Sequence, residues 1–244
     1  MEEGFLLRAV TEFVGAGLMA GEAVVIVPTP SHIEVFDEHL GRTLDLTAAR
    51  TAGQLVVLDA EASLAQLLVN GQPDRQVFIS FVKALLDRAE AAGNGRVRLF
   101  GEMVRLLCER NPEAAVELES LWNEVLVERP VSLLCTYRLD NFDRGVHRRL
   151  LHQITNQHSH LVPVEHYQRL ESAVDRAYRD VFGAEGDPVA LRDLLVAGVP
   201  PKPAMPPAEA ALIALRGLRT DIADAVLERA RHYYTAPLAP RSSR

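Results

Sequence analysis

Two short apolar segments that flank a helical stretch constrain the fold of this chain most strongly. The first covers residues 97–100 and is followed directly by Gly101-Glu102. The second covers residues 131–137. Between them lie two stretches in which apolar residues recur at helical spacing, which predicts two amphipathic helices. An apolar run, a helical excursion and a second apolar run predict a βαβ-type crossover. Such a crossover joins parallel strands of a sheet that helices cover.

Two further apolar runs extend this pattern. Residues 24–27 are stopped by Pro28 and Pro30, and residues 55–58 are followed by Asp59. Short, fully apolar runs of this kind are typical of buried parallel strands. Helical spacing predicts helices from about Leu6 to Gly21, from Ser31 to Leu40 with Glu34 completing a capping box, over Ser63–Val69, along Phe78–Ala89 and along Ala114–Val125. The sequence therefore predicts an α/β fold in three layers around a mainly parallel sheet.

The composition fits a chain with a sizeable core and no nucleic-acid surface. Of the 244 residues, 48% are hydrophobic, and the formal net charge is −7 without a run of basic residues. Nucleic-acid affinity, in contrast, comes mainly from Lys and Arg neutralising phosphates. No segment has the length of a membrane span or the pattern of a signal peptide, so we expect a cytoplasmic protein without membrane contact. Cys108 and Cys135 lie inside apolar patterns, which predicts buried reduced thiols.

The C-terminal third differs in character from the α/β region. We expect an α/β domain over residues 1–165, a helical extension over 166–198, a stiff proline-rich linker over 199–207, one helix over 208–235 and a disordered tail over 236–244. Apolar residues recur along the last helix from Leu212 to Leu227. This helix must therefore dock on the α/β domain, on a second copy of the chain as a homodimer, or on another protein.

Common catalytic and nucleotide-binding motifs are missing from the sequence. The glycine-rich segment 15–22 lacks the lysine of a P-loop, no Gly-x-Gly-x-x-Gly follows a strand, and no Gly-x-Ser-x-Gly elbow occurs. These absences argue against nucleotide hydrolysis, dinucleotide binding and the commonest α/β-hydrolase chemistry. No cofactor is predicted.

Polar residues at the expected carboxyl ends of the strands are the candidate ligand-binding residues. Thr29, Asp59 and Glu102 follow predicted strands and Tyr137 ends one, at the edge where open α/β sheets bind ligands. Glu102 could act as a general base or bind a cationic or hydroxyl-bearing ligand. Alternatively, free amides at the N-terminus of the next helix could satisfy it. Asp59 has the same two interpretations, and Tyr137 could direct its hydroxyl into a pocket.

A histidine cluster is the best candidate for a metal site. It comprises His152, His158, His160 and His166, and a strand would turn His158 and His160 to the same side. The alternative is a polar loop whose histidines bond to the backbone. Because the cluster has no nearby Cys or Asp, we favour the loop and predict no metal. His158 is kept as a candidate ligand contact.

Five sequence blocks occur in the order seen in one known family: Gly17–Glu22, Leu55–Ala60, Arg96–Met103, Leu118–Glu124 and His158–Pro163. Over roughly residues 5–163 the chain thus resembles the MEDS family, the methanogen/methylotroph DcmR sensory domain. The Phe-Gly-Glu-Met and Leu-Trp-Asn-Glu blocks are the most specific part. The resemblance implies a degenerate relative of the RecA/KaiC ATPase fold that has lost the phosphate-binding loop. It also implies sensing of small molecules, hydrocarbon derivatives among them, in bacterial and archaeal signalling proteins.

Two features depart from the family pattern. Members usually begin with a further strand that carries a His and a Tyr, whereas residues 1–4 lead almost directly into the first helix. The expectation is either a shortened domain or a start that lies further upstream. In addition, the C-terminal third contains no recognisable output module, such as a basic helix-turn-helix or a kinase catalytic segment.

We therefore expect a non-enzymatic sensory or regulatory protein of prokaryotic signal transduction or transcriptional control. A small molecule would bind near Thr29, Asp59, Glu102, Tyr137 and His158, and would change how the C-terminal helices dock on a signalling partner such as a kinase or regulator. Two alternatives remain open. One is an enzyme of unrecognised type that uses Glu102 with a histidine of the cluster, and the other is a protein-interaction scaffold with a vestigial nucleotide site.

Overall fold

The computed structural model describes residues 3–127, 129–137, 143, 145, 153, 157–160, 162, 166–183 and 206–236. Two compact units divide the chain, a first unit over Met1–Arg138 and a second unit over Leu139–Arg244. The α/β domain predicted over residues 1–165 thus comprises the first unit and the beginning of the second.

Four parallel strands form the main sheet of the first unit. The strands of this unit are β1 (Ala23–Val27), β2 (Leu55–Val57), β3 (Leu68–Val69), β4 (Gln72–Pro73), β5 (Val97–Gly101) and β6 (Val131–Cys135). The sheet order is β2-β1-β5-β6, and β3 and β4 form a separate antiparallel hairpin. The register places Val27 beside Gly101 and Gly101 beside Cys135. The crossover predicted between residues 97 and 137 therefore joins two neighbouring strands.

Helices cover both faces of this sheet. They are α1 (Glu3–Met19), α2 (Pro30–Gly41), α3 (Leu46–Thr51), α4 (Ala60–Leu67), α5 (Arg75–Ala92), α6 (Met103–Arg110) and α7 (Pro112–Leu126). On one face, Val10 of α1 and Phe36 of α2 pack with Phe100 in a core that also includes α3. On the other face, Leu99 and Trp122 belong to a larger core formed with α4 to α7. The prediction of a three-layer α/β fold is confirmed.

Successive residues of β5 and β6 face opposite cores, as the alternation of side chains along a strand requires. Leu99 lies in the core of α4–α7, whereas Phe100 lies in the core of α1–α3. In β6, Leu133 packs against the α4–α7 core and Leu134 against the α1–α3 core. This alternation indicates on which face a residue just beyond each strand places its side chain.

Aspartate caps fix where α3 and α4 begin. Asp45 and Asp59 each accept a 2.9 Å hydrogen bond from the backbone N–H three residues later, at the starts of α3 and α4. As a result, α4 begins at Ala60 rather than at the predicted Ser63, and α3 forms where no helix was predicted.

The capping box predicted for Ser31 and Glu34 is wrong. Helix α2 begins one residue earlier, at Pro30, and Thr29 occupies the N-cap position. Proline favours the first helical position because its fixed φ is already helical and its missing N–H is not needed there. Ser31 therefore lies inside the helix, with its Oγ 3.2 Å from Thr29 Oγ1.

Three helices of the second unit share one core. They are α8 (Tyr167–Phe182), α9 (Pro207–Leu218) and α10 (Thr220–Thr235). Val174 and Tyr178 of α8 pack with Leu212 of α9 and with Val226 and Leu227 of α10. The apolar stripe of the C-terminal segment thus docks on the helical extension that precedes it.

Two helices form where the sequence predicted one over residues 208–235. Arg219 interrupts them with an extended backbone, φ −145° and ψ 92°. Two local features favour a break here: Gly217 is a poor helix former, and Asp221 places a carboxylate in the first turn of α10. The break lets both apolar stripes pack in the same core.

Several predicted segments lie largely outside the described residues. They are the later part of the helical extension, the proline-rich linker over 199–207 except Pro206 and Pro207, and the tail over 236–244 except Ala236. Among the helices that the structure describes, none combines the length and apolar character needed to cross a membrane.

Candidate functional site

Glu102 is a fully buried carboxylate at the carboxyl edge of the sheet. It follows β5 directly, and its side chain has 0% exposure. Its oxygens accept hydrogen bonds from the backbone N–H of Thr29 at 2.8 Å, from Thr29 Oγ1 at 3.0 Å, from His32 Nδ1 at 2.8 Å and from Arg105 Nη1 at 3.0 Å. A buried charge is tolerated only when it is paired and hydrogen-bonded in this way.

The sheet topology brings these four donors together. Because β1 and β5 are parallel neighbours, the loop after β1 lies beside the end of β5. That loop carries Thr29, and the first turn of α2 places His32 on the same side. Arg105 lies three residues after Glu102, so the first turn of α6 returns its guanidinium to the carboxylate.

Glu102 does not cap the helix that follows it. It occupies the N-cap position of α6, but its side chain makes no capping hydrogen bond to the described backbone of that helix. Alternation along β5 explains why, since Glu102 faces the same side of the sheet as Phe100 and therefore points towards α2. The side-chain capping interpretation is thus wrong for Glu102.

The Glu102 carboxylate determines which ring nitrogen of His32 carries the proton. An ionised carboxylate only accepts hydrogen bonds, so Nδ1 of His32 must be the donor. In the neutral ring, Nε2 is then left with a lone pair and acts as an acceptor. The ring packs edge-on against Phe36, which packs edge-on against Phe100. The imidazole is thus oriented from two sides while its side chain keeps 14% exposure.

Asp59 lies at the same edge, but its side chain is used as a helix cap. Its Oδ1 accepts the backbone N–H of Ala62 at 2.9 Å. The next residue, Ala60, donates its N–H to the carbonyl of Pro28 at 2.8 Å, which ties the end of β2 to the loop that carries Thr29. The capping interpretation of Asp59 is therefore confirmed, and the hydrogen bond from Ala60 to Pro28 helps to hold the loop that carries Thr29.

Tyr137 lies on the opposite face of the sheet from Glu102. Its hydroxyl donates a hydrogen bond to Glu119 Oε1 on α7, and its ring packs against the α4–α7 core. Glu119 is itself buried, with 2% exposure. The four strand-end residues predicted to line one ligand site are therefore divided between two faces, with Tyr137 in a separate polar cluster.

Two cysteines complete this second cluster. Cys108 and Cys135 are both free thiols, as predicted, and both are half-buried. Burial raises the pKa of Cys108 to about 12, and the nearby charge of Glu119 adds to the shift. Burial, again with Glu119, raises the pKa of Cys135 well above its usual value, and burial also raises the pKa of Tyr137. These groups stay protonated at neutral pH, so the thiols are poor nucleophiles.

The histidine cluster belongs to the second unit. None of the described residues 158–160 is in a strand, so the geometry that would turn His158 and His160 to the same side does not form. His158 is half-buried, and His160 is exposed with its Nδ1 3.0 Å from Ser159 Oγ. His166 directly precedes α8. His152 lies outside the described residues.

Sequence reasoning missed three residues of these two clusters. The sequence contained a weak signal for His32 and Arg105. His32 lies three residues after the strand-end candidate Thr29, and Arg105 lies three residues after Glu102. Glu119 had a clearer one, because it interrupts the apolar face of α7 between Leu118 and Trp122, both of which are buried.

A family comparison agrees with the sequence resemblance. The model of the family described as "MEthanogen/methylotroph, DcmR Sensory domain" matches residues 2–158, well over half of the chain. The match therefore includes both Glu102 and Glu119. No curated protein and no solved structure matches the chain.

Proposed function

The chain belongs to the MEDS family of sensory domains, and on this premise we propose that it is a non-enzymatic sensor whose small-molecule ligand binds beside Glu102. The site would comprise His32, Arg105 and the Thr29 loop at the carboxyl edge of the sheet. We further propose that the protein works in the cytoplasm, independently of nucleic acid, and passes its signal to a protein partner.

One observation carries this proposal. Glu102 joins the loop after β1, the first turn of α2 and the first turn of α6 through a single buried carboxylate. A ligand that touches His32 or Arg105 alters the hydrogen bonds of this carboxylate, and both helices respond together. Such a contact favours one arrangement of the two helices over another, which is how a ligand shifts a conformational equilibrium.

The family supports the sensory role, and the second unit is the proposed output. Helices α8 to α10 have their own core, which would let them present a stable surface to a signalling protein such as a kinase or regulator. Leu218 and Phe182 are exposed apolar residues of this unit. They are the positions we would first substitute in a partner-binding assay.

Thermal unfolding of the full chain tests the ligand proposal. The probes are a panel of short-chain carboxylates, alcohols, alkylamines and inorganic phosphate. A probe present at 100 times its Kd stabilises by about 2.7 kcal/mol, which raises the Tm of a chain of this size by roughly 5–10 °C. Glu102→Gln should abolish the increase, and Glu117→Gln, an exposed change on α7, should preserve it. An increase that Glu102→Gln leaves intact would place the ligand elsewhere.

A second candidate function is enzymatic, and the Glu102–His32 pair favours it. A carboxylate that orients an imidazole is a common arrangement for a general base. Here the histidine is His32 of α2 and not one of the predicted cluster. The same panel followed by proton NMR over time distinguishes the two functions. Conversion of a probe that is lost in His32→Asn would support an enzyme, and binding without conversion supports the sensor.

A further inference from the structure

The groups around Glu102 indicate the chemical class of the ligand, an inference that rests on the proposed function. We propose that the site binds a small acid carrying both an anionic oxygen and a hydroxyl, that is, a hydroxycarboxylate or a hydrogen phosphate. The anionic oxygen would accept from Arg105, and the hydroxyl would donate to His32.

Glu102 itself is not available to a ligand. It has no exposed surface and already accepts four hydrogen bonds. An ionised carboxylate offers about four acceptor sites, so these donors saturate it. A cation or an amine therefore cannot reach the Glu102 carboxylate, the group that would otherwise attract it. The groups that a ligand can reach are the outer parts of the donors, and this departs from the expectation that Glu102 itself binds a cationic or hydroxyl-bearing ligand.

Arg105 supplies the group for an anion. Only its Nη1 is used on Glu102, and its Nε lies 3.9 Å from Glu109 Oε1. In the part of the chain that the structure describes, its Nη2 has no hydrogen-bond partner. The side chain has 21% exposure, and a guanidinium has five N–H donors arranged to bind a carboxylate or phosphate.

His32 supplies the group for a hydroxyl. With Nδ1 committed to Glu102, the neutral ring offers Nε2 as an acceptor. Nδ1 of His32 and Nη1 of Arg105 both lie 3.0 Å from the same oxygen, Glu102 Oε1. A molecule of a few heavy atoms can therefore reach both side chains at once, with an acceptor at one end and a donor at the other.

Thr136 adds an unsatisfied hydroxyl at the same edge. Gly101 is paired in register with Cys135, so Thr136 lies beside Glu102. Alternation places its side chain on the face shared by Leu134 and the α1–α3 core. Its Oγ1 is buried and has no hydrogen-bond partner among the described residues, although the residue has only 7% exposure. Buried hydroxyls are nearly always paired, so the proposed ligand would satisfy this one only by entering the site between the strand ends.

Titration of the full chain with four named probes tests the proposal. Glycolate and inorganic phosphate carry both features, acetate lacks the hydroxyl, and methylammonium lacks the anion. Affinities are measured by NMR, with the His32 side-chain nitrogens as a second readout. We expect glycolate or phosphate to bind and to change the chemical shift of His32 Nε2. Acetate should bind about tenfold more weakly, and methylammonium should not bind.

Three variants assign the contacts. In His32→Asn, the side-chain amide keeps a donor for Glu102 but removes Nε2, so glycolate binding should fall to the level of acetate. Arg105→Gln should weaken both anions at least about tenfold, and Arg105→Lys should recover part of the loss. Arg110→Gln, an exposed change in the last turn of the same helix, is the matched control. Circular dichroism of each variant establishes that it is folded.

Four results would overturn this assignment. Equal binding of acetate and glycolate, or binding of glycolate that Arg105→Gln leaves unchanged, would contradict it. If a neutral or cationic probe of the wider panel binds and is lost in His32→Asn, the ligand class is wrong and the sensory site stands. If no probe of the panel binds, the ligand class and the proposed site fail together.

Discussion

Thr29 and Glu102 are 73 positions apart in the chain and are joined by two hydrogen bonds, one from the backbone N–H and one from the hydroxyl of Thr29. These bonds link the end of β1 to the end of β5 across the strand pairing that the sheet already provides. The carboxyl edge is thus held by a buried charge, and the same charge orients His32 and Arg105.

Substitution of Thr29 by Val should destabilise the first unit. Valine keeps the shape and the backbone N–H but removes the hydroxyl that donates to Glu102. Hydrogen bonds to charged groups contribute about 1.5–3 kcal/mol, and the free energy of unfolding in urea should fall by about this amount. Thr47→Val, at an exposed position of α3, should change it by less than about 0.5 kcal/mol. Equal losses in the two variants would contradict a special role for the Thr29 hydroxyl.

Gly93 should not tolerate a side chain. A Cβ at this position would lie 2.5 Å from the backbone nitrogen of Ala23, the first residue of β1. Since backbone must move to make room, Gly93→Ala should lower the free energy of unfolding by about 1–3 kcal/mol. Gly15 offers the matched comparison, because its Cβ would meet Leu44 at an ordinary 3.8 Å inside α1. Gly15→Ala should stabilise by about 0.5–1 kcal/mol, and a Gly93 variant as stable as this one would refute the close approach.

The second unit should lose stability as the pH rises towards 7 and above. Burial, assisted by the charge of Glu171, raises the pKa of Glu209 from 4.5 to about 7. The folded state therefore holds this proton more tightly than the unfolded state. Its contribution is complete below pH 4.5 and is lost as the pH passes 7. The loss is at most about 3 kcal/mol, at 1.36 kcal/mol per pKa unit.

Glu209→Gln should remove this pH dependence. The variant should exceed the parent in stability at pH 8 and approach it at pH 4.5, as followed by helical circular dichroism in urea. Glu228→Gln, an exposed change on α10, should leave the slope as it is. A parent whose stability does not change between pH 5 and 8 would show that Glu209 titrates normally.

The two cysteines should react slowly with thiol reagents in the folded chain. Burial raises the pKa of both thiols, and Glu119 adds to the shift. At pH 8 the reaction with an aromatic disulfide should be at least about 100-fold slower than in urea, because only the thiolate reacts. Rapid modification of the native protein would instead indicate an open, ionised thiol beside Glu119.

The sequence predicted the layers of the fold because each strand of the main sheet was a short apolar run followed closely by a proline or a polar residue. The prediction from sequence failed for elements that depend on local polar residues rather than on an apolar pattern. Asp45 starts a helix that has only two buried residues. Asn70-Gly71, both with positive φ, forms the hairpin turn between β3 and β4, a turn that this residue pair favours.

The candidate site was harder to predict because it depends on register and face. A strand end can be located from its sequence, but the side to which the next side chain points depends on where pairing begins. Glu102 and Tyr137 were placed together from their strand ends, and alternation sends them to opposite faces. The pairing of His32 with Glu102 could be found only once β1 and β5 were known to be neighbours.

In the proposed function, the Glu102–His32 pair senses the ligand. The most direct measurement is an NMR titration of the full chain with glycolate and inorganic phosphate, following the two side-chain nitrogens of His32. We predict that binding changes the chemical shift of Nε2, while Nδ1 remains the nitrogen that carries the proton and donates to Glu102. A probe that binds and leaves both nitrogens of His32 unmoved would contradict the claim.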